Sequence, residues 1–352
     1  MTKQRTRMAD IAAHAGVSTA TVSRVVNGTG PVSEETRHRV LVAIDSYGYE
    51  RPAGESSSTG APVIGVITPE LTNPIFATFA HTLQSEISRS GAVPLICSQT
   101  PGGTSEETYT EALLSRGAAG IIFVSGRHAD YRSDISRYLR LIERGFPFVT
   151  VNGAREEIAA QDFSTGDGLG IQTAVRHLHS LGHTRIALLG GHTHIVPAAR
   201  KADAFRAVMA QEHLDDDPPV IETFYTYEAA AAATADLVGS GVTAIVAGSD
   251  LQALGAIRTI HALGLSVPDD LSVIGFDDSV LMAHLDPPLT TIRQPVSAIT
   301  TAAVQALLAS ISDGTHRSGA FVYTPDLVVR GSTGPAAVGA WVPRTATATV
   351  GI

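Results

Sequence analysis

Residues 20–28 read Ala-Thr-Val-Ser-Arg-Val-Val-Asn-Gly and combine short hydroxyl and methyl side chains with one arginine. Such side chains on a helix can contact base edges in a DNA groove, where alanine and threonine methyls meet thymine and arginine binds guanine or phosphate. Serine and asparagine suit phosphate contacts. The stretch therefore predicts a DNA-contacting helix, and the candidate contact residues are Thr19, Ala20, Thr21, Ser23, Arg24, Asn27 and Ser33.

Three short helices are predicted around this stretch, over about residues 8–15, 19–26 and 34–47. Gly16 ends the first, Ser18 has the N-cap position of the second and Ser33 that of the third. Two helices joined by a tight turn form a helix-turn-helix, although the same periodicity allows an ordinary three-helix cluster. The predicted inward residues are Ile11, Ala12, Ala15, Val22, Val25, Val26, Val40, Leu41 and Ile44.

The charge of the chain is unevenly distributed. The 352 residues carry a formal net charge of -9. Residues 1–60 hold seven Lys and Arg against six Asp and Glu, whereas the rest of the chain holds 18 against 28. An acidic body repels DNA everywhere except at the N-terminal segment, which argues against a generic polyanion binder.

The composition also indicates which cellular compartment to expect for the protein. The lone cysteine, Cys97, excludes an internal disulfide framework and lies in an apolar strand. The N-terminus lacks the apolar stretch of a signal peptide, and no run of about 18 apolar residues occurs, so we expect no membrane partner and a cytoplasmic protein.

Residues 52–62 have the Gly, Ser and Pro composition of a flexible linker. Beyond the linker, about ten short apolar runs alternate with helical stretches. Such alternation predicts parallel sheets covered by helices on both faces. Ten strands favour two doubly wound halves with a ligand crevice at the carboxyl ends of the strands.

The order of several motifs resembles that of one known family. Residues 9–52, ending in "RVLVAIDSYGYERP", resemble the DNA-binding head of the LacI/GalR family of transcriptional repressors. "VPDDLSVIGFDDSVLMAHLDPPLTTIRQP", residues 267–295, resembles a core segment of the family's effector domain, and the similarity covers residues 7–333. The resemblance implies an α/β fold with a three-helix helix-turn-helix head and a two-lobed, periplasmic-binding-protein-like body. It also implies a homodimer on a pseudo-palindromic DNA operator, a small effector that is commonly a sugar, and neither enzymatic activity nor a cofactor.

The resemblance also divides the chain. It implies a head over residues 1–51, the linker, two effector subdomains and a tail, 334–352, which we expect to be disordered or loosely packed. The family usually places a hinge helix with a DNA-wedging leucine after the head, but "AGESSSTGAP" has no counterpart to that leucine. The N-subdomain comprises 63–162 with 293–323, and the C-subdomain 163–292 with 324–333.

Matching the family's motifs residue by residue gives ten candidate effector contacts. Lys201 stands where the family has an effector-binding arginine, with Arg200 beside it, and Tyr225 offers an aromatic platform. Carboxylates, a cation and an aromatic wall suit polyol recognition, although one or two of these groups could instead form salt bridges between subdomains. The set is Asn73, Phe76, Ser125, Arg127, Arg200, Lys201, Tyr225, Asp250, Asp277 and Gln294.

Other motifs leave alternatives open. The histidines of "HLHSLGH" match the spacing of a zinc site poorly, so no metal is predicted and His177 and His183 are interpreted as hydrogen-bonded structural residues. Gly166-Asp167 stands where the family has Asp-Asn-x-x-Gly, so no ligand contact is assigned there. A solute-binding or sugar-processing protein with a vestigial head is the competing hypothesis. The absence of a signal peptide and of a Ser-His-Asp set argues against it.

Overall fold

A computed structural model describes residues 8–27, 30–47, 61–100 and 102–336. The chain divides into two units, residues 1–61 and 62–352, which are described separately. Residues 52–60 of the predicted linker, for which no hinge helix is expected, and residues 337–352 of the predicted loose tail lie outside the described residues.

The first unit contains the three predicted helices: α1 (Met8–Ala15), α2 (Thr19–Asn27) and α3 (Glu34–Tyr47). Gly16 has a φ of +63°, a left-handed conformation that favours glycine at the tight turn. Ser18 Oγ accepts a hydrogen bond from Thr21 N at 3.1 Å, and Ser33 Oγ accepts one from Thr36 N at 3.3 Å. Both predicted N-caps are therefore confirmed.

The small core of this unit joins all three helices through one cluster of apolar side chains. The prediction for Leu41 is wrong, because its side chain is 51% exposed while Val40 and Ala43 face α1. Position 43 follows 40 at the helical spacing of three, which puts the small Ala43 on the inner face. The buried residues are Ile11, Ala12, Ala15, Val22, Val25, Val40 and Ala43.

Lobe 1 of the second unit is a six-stranded parallel sheet with strand order β11-β5-β4-β3-β1-β2. Helices cover both faces in two separate apolar clusters. Its elements are β1 (Val63–Thr68), α4 (Pro74–Arg89), β2 (Val93–Ser98), α5 (Glu106–Ser115), β3 (Gly120–Val124), α6 (Ser136–Glu143), β4 (Phe148–Val151), β5 (Gln161–Thr165), α11 (Val296–Asp313) and β11 (Gly319–Tyr323).

Lobe 2 repeats the architecture with strand order β12-β10-β9-β8-β6-β7, in which only β12 runs antiparallel. Helices again cover both faces. Its elements are α7 (Asp167–Ser180), β6 (Ile186–Gly190), α8 (Val196–Gln211), β7 (Val220–Glu222), α9 (Tyr227–Gly239), β8 (Ala244–Ala247), α10 (Asp250–Ala262), β9 (Ser272–Asp277), β10 (Thr290–Arg293) and β12 (Asp326–Val328).

The chain crosses between the lobes three times, after β5, β10 and β11. Strand β5 runs through the predicted subdomain boundary at residue 162, since it pairs with β4 and β11 and ends at Thr165.

The first residues of the predicted tail pack onto lobe 2, where Ala336 N donates to Leu181 O at 2.9 Å and Gly334 O lies 3.0 Å from His183 Nε2.

Helix α11 is long and apolar enough in composition to cross a membrane. Ile299, Ala303 and Leu307 of this helix are buried in the core of lobe 1, and α11 packs beside α4. Its other face carries exposed apolar residues such as Ala298 and Ala309.

The head core can be tested with a pair of substitutions in the full chain. Ile11→Ala removes fully buried atoms and should lower the free energy of unfolding of the first unit by about 2–5 kcal/mol. Leu41→Ala changes an exposed side chain and should cost about 0.5 kcal/mol or less. Hydrogen exchange of the α1–α3 amides measures both, and equal effects would contradict the observed orientation of α3.

Candidate functional site

A cavity of about 250 Å³ lies between the two lobes, at the carboxyl ends of their parallel strands. This edge is the usual ligand site of open α/β sheets. Seven of the ten candidate effector contacts line the cavity. The lining residues are Asn73, Ile75, Phe76, Ser125, Asn152, Asp167, Ile195, Pro197, Lys201, Tyr225, Gly248, Ser249, Asp277 and Gln294.

Lys201 is a buried cation on α8 that reaches the cavity from lobe 2. Its Nζ donates to Gly248 O at 3.1 Å and lies 3.4 Å from Asp167 Oδ1 and 3.7 Å from the centre of the Phe276 ring. Burial alone lowers the pKa of Lys201, but the surrounding Tyr225, Asp167 and Asp277 outweigh it and raise that pKa. The cavity therefore holds a fixed positive charge.

Two buried oxygen atoms at the cavity form no well-aligned hydrogen bond, namely Asp167 Oδ2 and the Tyr225 hydroxyl. The Gly191 backbone lies close to that hydroxyl and opposes the rise that burial causes in the pKa of Tyr225. Burial raises the pKa of Asp167, and Lys201 opposes that rise. An unpaired buried polar atom costs about 1–3 kcal/mol, so both atoms favour a ligand that supplies hydrogen bonds. Hydroxyl groups, which both donate and accept, satisfy a carboxylate and a phenol together.

Asp277 and Gln294 connect the two lobes at the cavity. Gln294 Nε2 donates to Asp277 Oδ1 at 2.7 Å, and Thr165 Oγ1, from lobe 1, donates to Gln294 Oε1 at 2.7 Å. Burial, followed by the neighbouring Asp250, raises the pKa of Asp277 to about 8. Asp277 has a φ of +126°, and such strained residues cluster at functional sites.

Lobe 1 contributes residues that follow three of its strands. Asn73 follows β1 and caps α4, its Oδ1 accepting from Ile75 N at 3.4 Å. Ser125 follows β3 with a φ of +43°, and Asn152 follows β4 with a φ of +60°. Asn152 Oδ1 accepts a hydrogen bond from Thr165 N at 3.1 Å, which fixes the side chain. These left-handed residues turn the chain at the strand ends and bring polar groups to the cavity.

The structure does not place Asp250 on the cavity. Its side chain is 1% exposed and points into lobe 2, where Oδ2 accepts from Ser279 N at 2.7 Å and Oδ1 from Thr291 Oγ1 at 2.6 Å. Burial raises the pKa of Asp250 to about 6. Asp250 holds the segment that carries Asp277, and so acts on the cavity indirectly.

The arginines at positions 127 and 200 also lie outside the cavity lining. Arg127 is exposed beside a separate groove, and its backbone N donates to Glu106 Oε2 at 3.0 Å. Arg200 lines another cavity and donates from Nη2 to Ala154 O at 3.4 Å. One residue along α8 rotates a side chain by about 100°, so Lys201 and Arg200 face different spaces.

Two functional candidates were missed from the sequence, Asp167 and Asn152. Asp167 is the first residue of α7 and was discounted because its motif departs from the family pattern. Asn152 ends the run "PFVTVN", and its position directly after a predicted strand was the available signal.

The lobes also touch beside the cavity. Tyr131 N, on lobe 1, donates to His194 O, on lobe 2, at 2.8 Å. Asp130 and Ile195 form an isolated antiparallel bridge at the same place. The described arrangement is thus one in which the lobes meet around the cavity.

The candidate DNA contacts lie mostly on the outer surface of the first unit. Thr19, Ala20 and Arg24 on α2 are exposed, as is Ser33 before α3. Thr21 and Ser23 are partly buried on α2. The side chain of Asn27, at the end of α2, lies outside the described structure.

The histidine prediction agrees with the structure. His177 Nε2 lies 3.0 Å from Thr333 Oγ1, and His183 Nδ1 lies 2.9 Å from Thr243 Oγ1. Burial lowers the pKa of both imidazoles. Over the described ranges, no group of three or more His, Cys, Asp or Glu side chains could hold a metal ion.

Comparison with known proteins identifies the class of protein to which the chain belongs. Residues 7–52 match the family described as bacterial regulatory proteins, lacI family, and residues 175–333 match a periplasmic binding protein-like domain. The HTH-type transcriptional regulator MalR of Streptomyces coelicolor is 49% identical over 337 residues, which cover 94% of this chain and 97% of MalR. The chain belongs to the LacI family and is a transcriptional regulator, not an enzyme.

Two solved structures share the whole fold. The transcriptional regulator CelR in complex with cellobiose has a TM-score of 0.68 and 27% sequence identity, over 93% of this chain and 100% of CelR. The lac repressor dimer bound to operator and the anti-inducer ONPF has a TM-score of 0.67 and 27% identity, over 94% of this chain and 100% of that one. The predicted family and fold class are confirmed.

The buried acid Asp277 predicts a pH dependence of stability. Its folded pKa is raised from 3.8 to about 8, so the folded state binds more protons between those values. The resulting stabilisation is complete below pH 3.8 and is lost as the pH rises towards about 8. Asp277→Asn should remove this component, whose slope is at most about 1.4 kcal/mol per pH unit.

Urea unfolding of the full chain from pH 5 to pH 8 measures this difference. Asp216→Asn, at an exposed position of lobe 2, is the matched control. Parallel stability curves for the native protein and Asp277→Asn would contradict the raised pKa.

Proposed function

We propose that this regulator is a repressor of carbohydrate-metabolism genes whose DNA affinity is set by a small saccharide bound between its lobes. The observation that carries the proposal is the cavity in which Lys201, Asp167 and Tyr225 present a buried charge and two oxygen atoms without a well-aligned hydrogen bond. The exposed outer residues of α2 support DNA contact by the same chain.

The lining favours a polyol over an apolar or a strongly charged ligand. Asp167, Asp277, Asn152 and Gln294 offer acceptors and donors for several hydroxyl groups, and the cavity also has the aromatic rings of Phe76 and Tyr225. A cavity with a few convergent polar groups and an aromatic wall is the usual form of a small-molecule site. The solved relative CelR, which holds cellobiose, supports a saccharide as the ligand.

The two lobes can couple saccharide binding to DNA affinity. A saccharide that contacts Asp167 and Asn152 together bridges the two lobes, so it binds most tightly when they meet. Binding to one conformation shifts the population by the difference in affinity between conformations. The same coupling free energy must change DNA affinity if the two lobe arrangements differ in their fit to the operator.

We further propose that the protein acts in the cytoplasm as a homodimer on a pseudo-palindromic operator. Two helix-turn-helix units related by two-fold symmetry read an inverted repeat, with half-sites spaced by the geometry of the dimer. The lac repressor dimer bound to operator, which shares the fold, supports this arrangement.

Selection from a random DNA pool tests sequence-specific DNA binding by the helix-turn-helix unit. The full protein at fixed, near-physiological salt should enrich an inverted repeat, and Arg24→Ala should lose about 1–3 kcal/mol of discrimination at one base pair of each half-site. Salt is fixed because phosphate contacts alone are sequence-blind. No enrichment, or an Arg24→Ala variant that binds as the native protein does, would favour the competing hypothesis of a vestigial head.

Removal of one oxygen atom tests the effector site. Tyr225→Phe deletes a hydroxyl whose only close backbone neighbour is poorly aligned for a hydrogen bond, so the free energy of unfolding should change by about 1 kcal/mol or less. A saccharide that binds this hydroxyl should lose about 3- to 10-fold in affinity, the value of one neutral hydrogen bond. Titration calorimetry with ribose, glucose, maltose and cellobiose measures this loss.

Tyr227→Phe is the control, because this nearby tyrosine does not line the cavity. Operator affinity without saccharide should be unchanged in both variants. The effector assignment fails if none of the four sugars binds, or if binding and its effect on operator affinity survive Tyr225→Phe intact.

A further inference from the structure

Beside the cavity, lobe 2 carries an aromatic surface formed by His192, His194 and Phe224, here called the His–Phe shelf. The rings of His192 and Phe224 meet edge to face with centroids 4.9 Å apart. The His194 ring stacks on His192 at 5.6 Å, with planes 21° apart. Phe224 is 68% exposed, so its ring is accessible to a ligand.

The shelf is continuous with the cavity along the chain. His192 and His194 follow β6 and precede Ile195 and Pro197, which line the cavity. Phe224 follows β7 and directly precedes Tyr225, which also lines it. Both loops leave the carboxyl edge of the sheet, which is the edge that the cavity occupies.

The shelf is held in place by a buried amide. Gln252, which is fully buried, donates from Nε2 to Gly190 O at 2.9 Å and to Thr223 Oγ1 at 2.8 Å. These acceptors lie at the starts of the two loops that carry the shelf. The bases of both loops are therefore fixed before a ligand arrives, which reduces the entropic cost of binding.

A carboxylate completes the surface. Glu222 Oε1 accepts from Thr193 Oγ1 at 2.7 Å, and Glu222 Oε2 lies 3.4 Å from His192 Nδ1. The hydrogen bond from Thr193 is the largest of the effects that lower the pKa of Glu222 and keep it ionised. An aromatic face beside a fixed carboxylate offers what a sugar ring needs, an apolar surface for its C–H groups and an acceptor for its hydroxyls.

We propose that the His–Phe shelf is a second saccharide subsite, so that the effector has at least two sugar units. This inference rests on the proposed function. The 250 Å³ cavity lies below the usual range of about 300–1,000 Å³ for drug-sized ligands, and it holds the first unit. The second unit lies over Phe224, with a hydroxyl towards Glu222.

The shelf also lies at the contact between the lobes. His194, whose ring belongs to the shelf, accepts a hydrogen bond from Tyr131 N of lobe 1 through its backbone oxygen. A second sugar unit over Phe224 therefore lies next to the ring of His192, which belongs to the same loop as His194. A longer saccharide should then change operator affinity more than a single sugar does.

Chain-length dependence tests the subsite. Titration calorimetry of the full protein uses glucose with the α-1,4-linked and β-1,4-linked di- and trisaccharides of glucose. In one series, the disaccharide should bind more tightly than glucose, and Phe224→Ala should weaken the disaccharide by about 3- to 10-fold, in line with one aromatic contact. Glucose binding should not change in this variant, and Phe224→Trp should restore disaccharide affinity.

Leu263→Ala is the matched control, since Leu263 is 51% exposed and follows the end of α10 that is remote from the cavity. Thermal unfolding and operator binding of each variant report folding. Equal affinity for glucose and the longer saccharides, or a chain-length preference that survives Phe224→Ala, would overturn the shelf while leaving the cavity assignment intact. Absence of binding by every saccharide would overturn the effector class and the subsite together.

Discussion

The burial of one ammonium group constrains the whole ligand site. Lys201 loses its hydration inside lobe 2, and a buried charge is stable only when it is paired and hydrogen-bonded. Asp167, Gly248 O and the faces of Phe276 and Tyr225 provide that compensation. They come from four separate segments, so one cation fixes how the strand ends of lobe 2 are arranged around the cavity.

The polar network then extends from lobe 2 into lobe 1 through individual hydrogen bonds. Gln294 joins Asp277 to Thr165, and His194 O receives Tyr131 N. Both contacts are polar, and the apolar clusters of the two lobes are separate from each other. Where the lobes exchange between two arrangements, a ligand shifts their populations only by the difference in its affinity for the two.

Local chemistry in the sequence predicted the helices of the head, since capping serines and apolar periodicity define α1–α3. The cavity was predicted from the family resemblance, whose motifs gave ten candidate contacts, seven of which lie on the lining. Side-chain direction was not predictable in the same way. Asp250 follows a strand but turns inward to Ser279, and Arg200 differs from Lys201 only by helical phase. Asp167 was discounted by motif, although its charge is what Lys201 requires.

The crossing of the chain between lobes has a consequence for synthesis on the ribosome. Helix α11 covers one face of the sheet of lobe 1, yet it begins at Val296, more than 100 residues after β5 ends at Thr165. Until α11 has emerged, the apolar face that includes Ile64 and Val149 lacks part of its cover. Such long-range closure is slow and exposes apolar surface. The nascent chain therefore keeps this apolar face partly uncovered until α11, the last helix of the described structure, is made.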